Sequence, residues 1–416
     1  MTICIYNPPE YQRFYPFSWT QPVFNLRCGV FTPYERLAHF AGVQPKMAVN
    51  ERLSSLFGTL THSNTPICLV NGACLRTPLI WDAIMQLGIG DRLVSTSGGQ
   101  TIAAIVPASD SSDLGNSDLF NAQFFSTYSA ILFESEQVLF LETVTDLYRL
   151  NGAQIRSDFA FLTAGRSSEI LSDPHTITYN PEQIFIEKGV KIRSAILDAE
   201  SGPIYIGKGA EIQPGAILVG PLAVCDNATI HLGAKIKGDT TIGPFCKVGG
   251  EVSNSILMGF SNKGHDGFIG NTVIGYWCNL GADTNTSNLK NNYSNVKIYD
   301  ALAEKMVDTG MQFCGLLMGD HCRSGINTMF NTGTVVGPWS NIFGAGFPYK
   351  FLPPFSWGGV DRRVVHDPER AFVASVRMME RRKIMPPDAM RNYMDALLQS
   401  TQHLRSGFWE SDVSGE

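Results

Sequence analysis

The sequence has 416 residues, with 32 Lys and Arg against 38 Asp and Glu and a net charge of −6. Apolar residues make up 44 % and charged residues 17 %, a balance that builds a core and argues against disorder. An isoelectric point near 5.8 gives no electrostatic case for nucleic acid, and no apolar run reaches the roughly 18 residues that would cross a bilayer, so no membrane insertion is expected.

The length suggests two or three domains. Residues 1–17 lack a basic region followed by an apolar one, so no signal peptide is read there. Nine scattered cysteines without a Cys-x-x-Cys pair read as reduced, buried thiols of a cytoplasmic protein. Gly is sparse before residue 150 and dense between 202 and 359, so the second half is turn-rich.

Residues 1–150 alternate short apolar strands with helical patterns. Ile67–Val70 is a strand ending in the turn Asn71-Gly72. Leu79–Leu87 has helical spacing, Thr101–Val106 is a second apolar strand, and 109–118 is a polar loop. This predicts an α/β layer with a mostly parallel sheet, and ligands at the carboxyl ends of its strands. Arg13–Arg27, rich in aromatics and followed by Cys28-Gly29, offers an Arg that clamps a phosphate bidentately, or a packed segment with a surface Arg. Residues 151–183 read as a neck.

A six-residue period follows. Ile206, Ile212, Leu218, Val224, Ile230, Ile236, Ile242 and Val248 are all aliphatic. Ile184, Val190 and Ile196 read as the preceding set, offset by Ser201-Gly202-Pro203. Phe268, Ile274 and Leu280 form a third set, and Met318, Ser324, Phe330, Val336 and Ile342 a fourth, polar only at Ser324. Each hexad is a short strand and a corner, and three close a coil. The set gives about six coils stacked at ~4.8 Å, a prism roughly 30 Å tall. The expected fold is a parallel β-helix over 184–359. Two stretches, 249–267 and 283–313, break the rhythm and read as loops leaving the solenoid. They carry Lys263, His265, Asp266, Asn285, Asn288, Lys290 and Lys297, with Asn279 between them. Basic and amide groups around one His suit an anionic sugar or phosphate with a general base. Residues 360–416 read as a helical tail, with Asp367-Pro368-Glu369 opening a helix.

Ile242–Val252, Gly259–Gly270, Trp277–Tyr293, Met318–His321, Thr328–Gly337, Phe355–Gly359 and, at the start, Phe17–Thr32 carry a resemblance. Over roughly residues 13–360 the chain resembles the bifunctional N-acetylglucosamine-1-phosphate uridyltransferase / glucosamine-1-phosphate N-acetyltransferase family, in the divergent form found in Bacteroidetes. The resemblance implies an α/β sugar-nucleotidyltransferase-like domain over 1–150, a left-handed hexapeptide β-helix over 184–359 and the tail. It implies acetyl-CoA as cosubstrate, an amino-sugar phosphate (glucosamine 1-phosphate) as acceptor, a role in nucleotide-sugar and cell-envelope synthesis, and a homotrimer with sites at subunit junctions. His265 matches the family's base, Asn279 its sugar-phosphate and acetyl-CoA ligand, and Asn288 the residue that orients the His. Lys290 or Lys297 matches the phosphate-neutralising Lys, and the two stay open; Lys263 joins this substrate-binding set. Gly281 and Ala282, with the backbone of Gly319 and Asp320, would line the acetyl-CoA groove, and Asn279 or the Gly281–Asp283 backbone would stabilise the oxyanion. Arg381, Arg382 and Lys383 either contact CoA phosphates or belong to a helix that caps the solenoid.

The chain departs from the family at Phe268, Asp283 and Leu289, which replace Tyr, Gly and Tyr. It also lacks the Gly-rich phosphate loop, and Asn71-Gly72-Ala73 has no carboxylate for Mg²⁺. A nucleoside triphosphate and Mg²⁺ are needed only if the first half is active, and Arg27 and Lys46 are its remaining phosphate ligands. Two rival classes are a metal-dependent lyase on His231, His265 and His321, and a sugar-nucleotide-binding protein without catalysis.

Overall fold

The computed structural model describes residues 1–409 apart from 59, 61, 62, 76, 110–113, 115, 116, 118, 119, 135–137, 361 and 362. The expected polar loop over 109–118 lies largely outside the described residues. The chain divides into two compact units: Met1–Phe14, Gln21–Arg27 and Phe31–Val144 form one, and Tyr15–Thr20, Cys28–Val30 and Thr145–Glu416 the other.

The first unit is built on strands β1 (Thr2–Tyr6), β2 (Lys46–Ala48), β3 (Ile67–Asn71), β4 (Cys74–Leu75), β5 (Asp91–Ser95), β6 (Thr101–Val106), β7 (Ser129–Phe133) and β8 (Leu139–Phe140). Six of them form one sheet in the order β2-β1-β3-β6-β5-β7. All five residues of β3 are buried, as a strand covered on both faces requires. The sheet is mixed: β6 runs antiparallel to both β3 and β5, while the other pairs are parallel. The expected mostly parallel sheet is corrected at that strand. A short turn of 96–100 returns the chain from β5 directly alongside it, with no crossover helix.

The second unit contains the prism. One face has nine strands from Ile184–Ile186 to Phe351–Leu352, a second has ten from Lys191–Ile192 to Arg363–Val365, and a third has six from Ile177–Tyr179 to Phe268–Gly270. Segment 151–183 holds the helix Asn151–Thr163 and the first strand of the third face. The eight residues from Ile206 to Val248 point inward and are fully buried. Two positions before several of them stand Ala210, Ala216, Ala228 and Ala234, also fully buried. Their small side chains fill the space beside each aliphatic residue, so the interior is packed without voids.

The phase of the flanking coils differs from the expectation. Ile186, Ile192 and Leu197 pair with Ile206, Ile212 and Leu218, so they replace Ile184, Val190 and Ile196 as the in-phase set. Ile184 also faces inward, two residues earlier on the same strand, which is why the pattern is ambiguous there. Ile269, not Phe268, pairs with Val252 and enters the core. The stretch 249–267 does not leave the prism: Glu251–Ser253, Ile256–Gly259 and Asn262–Lys263 continue all three faces through shortened corners. Only the second break departs, carrying the antiparallel pair Lys297–Asp300 and Lys305–Asp308.

One corner of the prism is a ladder of left-handed residues. It begins with Gly189, Gly209 and Asn227 and continues with Phe245, Phe260, Trp277, His321, Trp339 and Phe355, all at φ between 57° and 74°. From Phe245 upward the rings stack, with centroids 4.2–6.5 Å apart. The stacking offsets the backbone cost that a bulky side chain meets at positive φ. All nine cysteines are buried free thiols. No described helix is long and apolar enough to cross a membrane.

Candidate functional site

The second face of the prism presents columns of residues in register. The inward column runs Ile230, Val248, Lys263, Leu280, Ser324, and the outward residues one position earlier are Thr229, Lys247, Asn262, Asn279 and Arg323. One position after the inward column come His231, Gly249, Gly264, Gly281 and Gly325. Then come Leu232, Gly250, His265, Ala282 and Ile326. The glycine column holds the surface at backbone level: a Cβ on Gly281 would lie 2.5 Å from the Gly325 carbonyl, and one on Gly249 2.5 Å from Gly264 O.

The helix Pro368–Glu380, capped by Asp367, lies against this face. Arg323 donates to Ala374 O at 3.0 Å, and Arg382 donates to Asn262 Oδ1 at 3.2 Å and Phe245 O at 3.3 Å. Between helix and prism runs a groove of about 1200 Å³. Its walls carry Lys247, Arg323, Arg377, Arg381 and Arg382 against only Asp266 and Asp283. Such a surplus of cations favours a ligand with several negative charges.

His265 is exposed in this groove, and its imidazole makes no hydrogen bond within the described residues. Asn279, Gly281 and Ala282 line the same groove. The N–H groups of Gly281 and Asp283 are spent on Ser324 O and Asp266 O, leaving that of Ala282 open. His231, not weighted as a site residue, also lines the groove. Its Nδ1 lies 3.2 Å from Gln213 Oε1, and burial, Lys247 and His265 hold its pKa below the ordinary value. Lys247 and Arg323 were not anticipated, and His231 was considered only as a metal ligand. Their signal is the register itself, which becomes legible only with the correct phase of the shortened coils.

Other expected residues lie elsewhere. Lys263 is not on a loop: it occupies an inward position, 1 % exposed, so it is not a substrate ligand. Asn288 does not orient His265, because its amide donates to Asn271 Oδ1 at 2.8 Å at the root of the excursion. Lys290 bonds Asn295 O within that excursion, and Lys297 sits exposed on its hairpin; neither lines the groove. Gly319 and Asp320 are buried, and Asp320 accepts from Tyr276 N at 2.8 Å and Thr20 Oγ1 at 3.0 Å, so they brace the chain and do not line the groove.

In the first unit Arg27 is 3 % exposed and forms a bidentate pair with Glu35 at 2.9 Å, so its fork is already filled. Glu35 also closes the capping box of the helix Pro33–Ala41. Lys46 lies exposed on the edge strand β2. The strand-end turn is closed on itself, with Asn71 Oδ1 accepting from Ala73 N and its amide donating to Thr101 O. Gly72 is required there, since a Cβ would meet Tyr6 O at 2.6 Å. The cleft beside it holds about 180 Å³ and is lined by residues including Glu10, Arg13, Gln100 and Glu142. Among the described residues no three His, Cys, Asp or Glu converge as metal ligands, so His231, His265 and His321 do not form the three-His site.

Residues 3–167 match the family model described as sugar nucleotidyl transferase. The chain is 30 % identical over 138 residues to the bifunctional protein GlmU of Methanococcus aeolicus, covering 33 % of each chain. It is 30 % identical over 160 residues to the bifunctional sugar-1-phosphate nucleotidylyltransferase/acetyltransferase of Sulfurisphaera tokodaii, covering 38 % of this chain and 37 % of that one. Against the uncharacterized acetyltransferase YaiX of Escherichia coli it is 28 % identical over 155 residues, 36 % of this chain and 66 % of that one. The matches thus span between a third and two thirds of these relatives' own lengths. A sugar-nucleotidyltransferase-like domain and a parallel β-helix are joined in one chain, as the sequence resemblance implied.

Proposed function

We propose that this protein is a transferase that moves the acetyl group of acetyl-CoA to the amine of an amino-sugar 1-phosphate, with glucosamine 1-phosphate as the first candidate. The observation that carries the reading is His265, unpartnered and exposed, beside Asn279 in a groove walled by five Lys and Arg side chains. His265 takes a proton from the amine as the nitrogen attacks the thioester carbonyl. The C–N bond forms, the oxyanion is held by the Asn279 amide and the Ala282 N–H, and the C–S bond breaks. The departing thiolate recovers the proton from the imidazolium. Arg377, Arg381 and Arg382 suit the phosphates of CoA, and Lys247 and Arg323 suit the sugar phosphate.

The reading assigns acyl transfer to the β-helix of residues 184–359 and includes a homotrimer. Leu232 and Ile326, 69 % and 72 % exposed, stand two levels below and above His265 in its own column, which supports closure of the groove by a second copy. Sedimentation equilibrium at three monomer masses is the expected result. Release of thiol from acetyl-CoA with glucosamine 1-phosphate tests the activity, and the reading fails if no acceptor-dependent thiol appears or if His265→Ala matches the wild type.

A second reading rests on the nucleotidyl transferase domain, coupling acetylation to formation of a nucleotide sugar such as UDP-N-acetylglucosamine. The closed Asn71 turn, the filled fork of Arg27 and the small cleft weigh against a nucleotide binding there unaided. Incubation with N-acetylglucosamine 1-phosphate, a nucleoside triphosphate and Mg²⁺, followed by pyrophosphate release, decides it.

A further inference from the structure

We propose that Lys263 is a positioning residue that holds the His265 corner from inside the prism; as a role in catalysis it rests on the acetyl-transfer reading above. Every neighbouring coil places an uncharged residue at this inward position: Ile230, Val248, Leu280, Ser324. Only this coil places an ammonium there. The stem follows the aliphatic column, and Nζ turns up into the corner to donate to the carbonyls of His265 at 2.6 Å and Asp266 at 2.9 Å.

The corner needs such a donor. At His265 and Asp266 the backbone carbonyls are within reach of the prism interior, where an unmet acceptor is costly. Asp266 O has a second donor, Asp283 N at 3.1 Å, whereas Lys263 is the sole donor found for His265 O among the described residues. The space for the ammonium comes from the coil below. Gly250, at φ 72°, stands in register with the buried Ala234 one coil earlier, and a Cβ there would lie 2.9 Å from Nζ. Above, Gly267 fits because a Cβ would meet Thr284 O at 2.4 Å. The corner is thus clamped from below, above and within, while the His265 imidazole itself has no hydrogen bond. Its aim into the groove is set by the backbone alone. Burial pushes the Lys263 ammonium down to about 8, opposed by Asp266 and Asp283, so below that pH it donates as a cation, in the stronger form of the bond.

The test is Lys263→Met, which keeps length and apolar fit but removes both donors. Lys263→Leu is the second variant, since Leu280 already occupies the equivalent site in the next coil. Either folded variant should lower kcat about 10- to 100-fold, the cost of a displaced catalytic group. KM for acetyl-CoA should stay within twofold, because Nζ does not reach the groove. The melting temperature should fall by a few degrees, because the His265 carbonyl loses its donor while the apolar replacement still fits the column. In histidine-selective NMR spectra the His265 signals, assigned by their loss in His265→Ala, should move or split while those of His39 and His175 stay fixed. An unchanged kcat with unmoved His265 signals in a folded variant overturns the proposal. If instead the wild type and His265→Ala are equally inactive, the acetyl-transfer reading fails, and the NMR shift alone decides whether Lys263 positions the corner.

Discussion

His321 offers a sharp test of the aromatic ladder. It is 7 % exposed, stacks on Trp339 at 5.4 Å and 4°, faces Trp277 at 6.5 Å, and leaves Nδ1 buried without a hydrogen-bond partner. Burial, aided by the Arg323 charge, pushes its pKa down to about 3 from 6.5. The folded state therefore binds fewer protons than the unfolded state between those values. The contribution is fully present above pH 6.5 and is lost as pH falls toward 3, at about 1.4 kcal/mol per pH unit. Between pH 7.5 and pH 5 the loss is about 2 kcal/mol. His321→Phe removes the proton site and keeps a ring in the stack. The left-handed backbone at φ 59° already carries Trp339 and Phe355 in the next rungs, so the substitution adds no new strain. Urea unfolding followed by tryptophan fluorescence at pH 7.5 and pH 5 measures the difference. The variant should gain about 2 kcal/mol on the wild type over that interval. Parallel pH dependence in the two proteins would refute the buried, neutral imidazole. A wild type that gains on acidification would mean that the flanking indoles stabilise the imidazolium.

Three further outcomes follow from the groove. His265→Ala should lower acceptor-dependent thiol release by about 10²- to 10⁴-fold with an unchanged melting temperature, as removal of a general base from an exposed position requires. Arg381→Ala with Arg382→Ala should raise KM for acetyl-CoA about tenfold and leave kcat near the wild-type value. The wild-type KM should itself climb with salt, because these cations act through water at the groove wall. Gly281→Ala sets a Cβ 2.5 Å from the Gly325 backbone. It should cost about 1–3 kcal/mol in urea unfolding, the usual cost of overpacking, and reduce turnover by lifting the floor beneath Asn279.

The prism was legible because its signal repeats: one inward aliphatic per strand survives an isolated substitution such as Ser324, whose hydroxyl is met inside by Thr284 at 2.8 Å. The phase was less legible. Ile184 and Ile186 are both aliphatic and both face inward, so the period alone cannot choose between them. His265 and Asn279 were found by motif because both sit in the regular part of the second face. Asn288 was carried over as the Asn of the family's Asn-Tyr pair, here Asn288-Leu289. Spacing ceases to report position there, because the chain is leaving the prism. The arginines of the groove were visible as a basic helix end, but nothing local says which face that helix covers. Lys263 was misread for the opposite reason: a lysine is ordinarily outside, and only the register of Val248 with it shows that it lies within.

The misreading of Lys263 has its cause in the length of the coil. From Ile230 to Val248 a coil takes eighteen residues, but from Val248 to Lys263 it takes fifteen. Two of the three lost residues fall at Gly249-Gly250, where the corner cuts straight from the second face to the third, and one falls between Val252 and Leu257. A regular coil would put a side chain at Gly250, as the buried Ala234 does one level down. Its loss makes room for the Lys263 ammonium, lowers the groove floor beside His231, and leaves His265 overhanging the gap. The places where the repeat fails are therefore where the fold gives up regularity for chemistry, and a shortened coil with paired glycines, followed by a polar residue at the inward position, marks such a place in a sequence of this architecture.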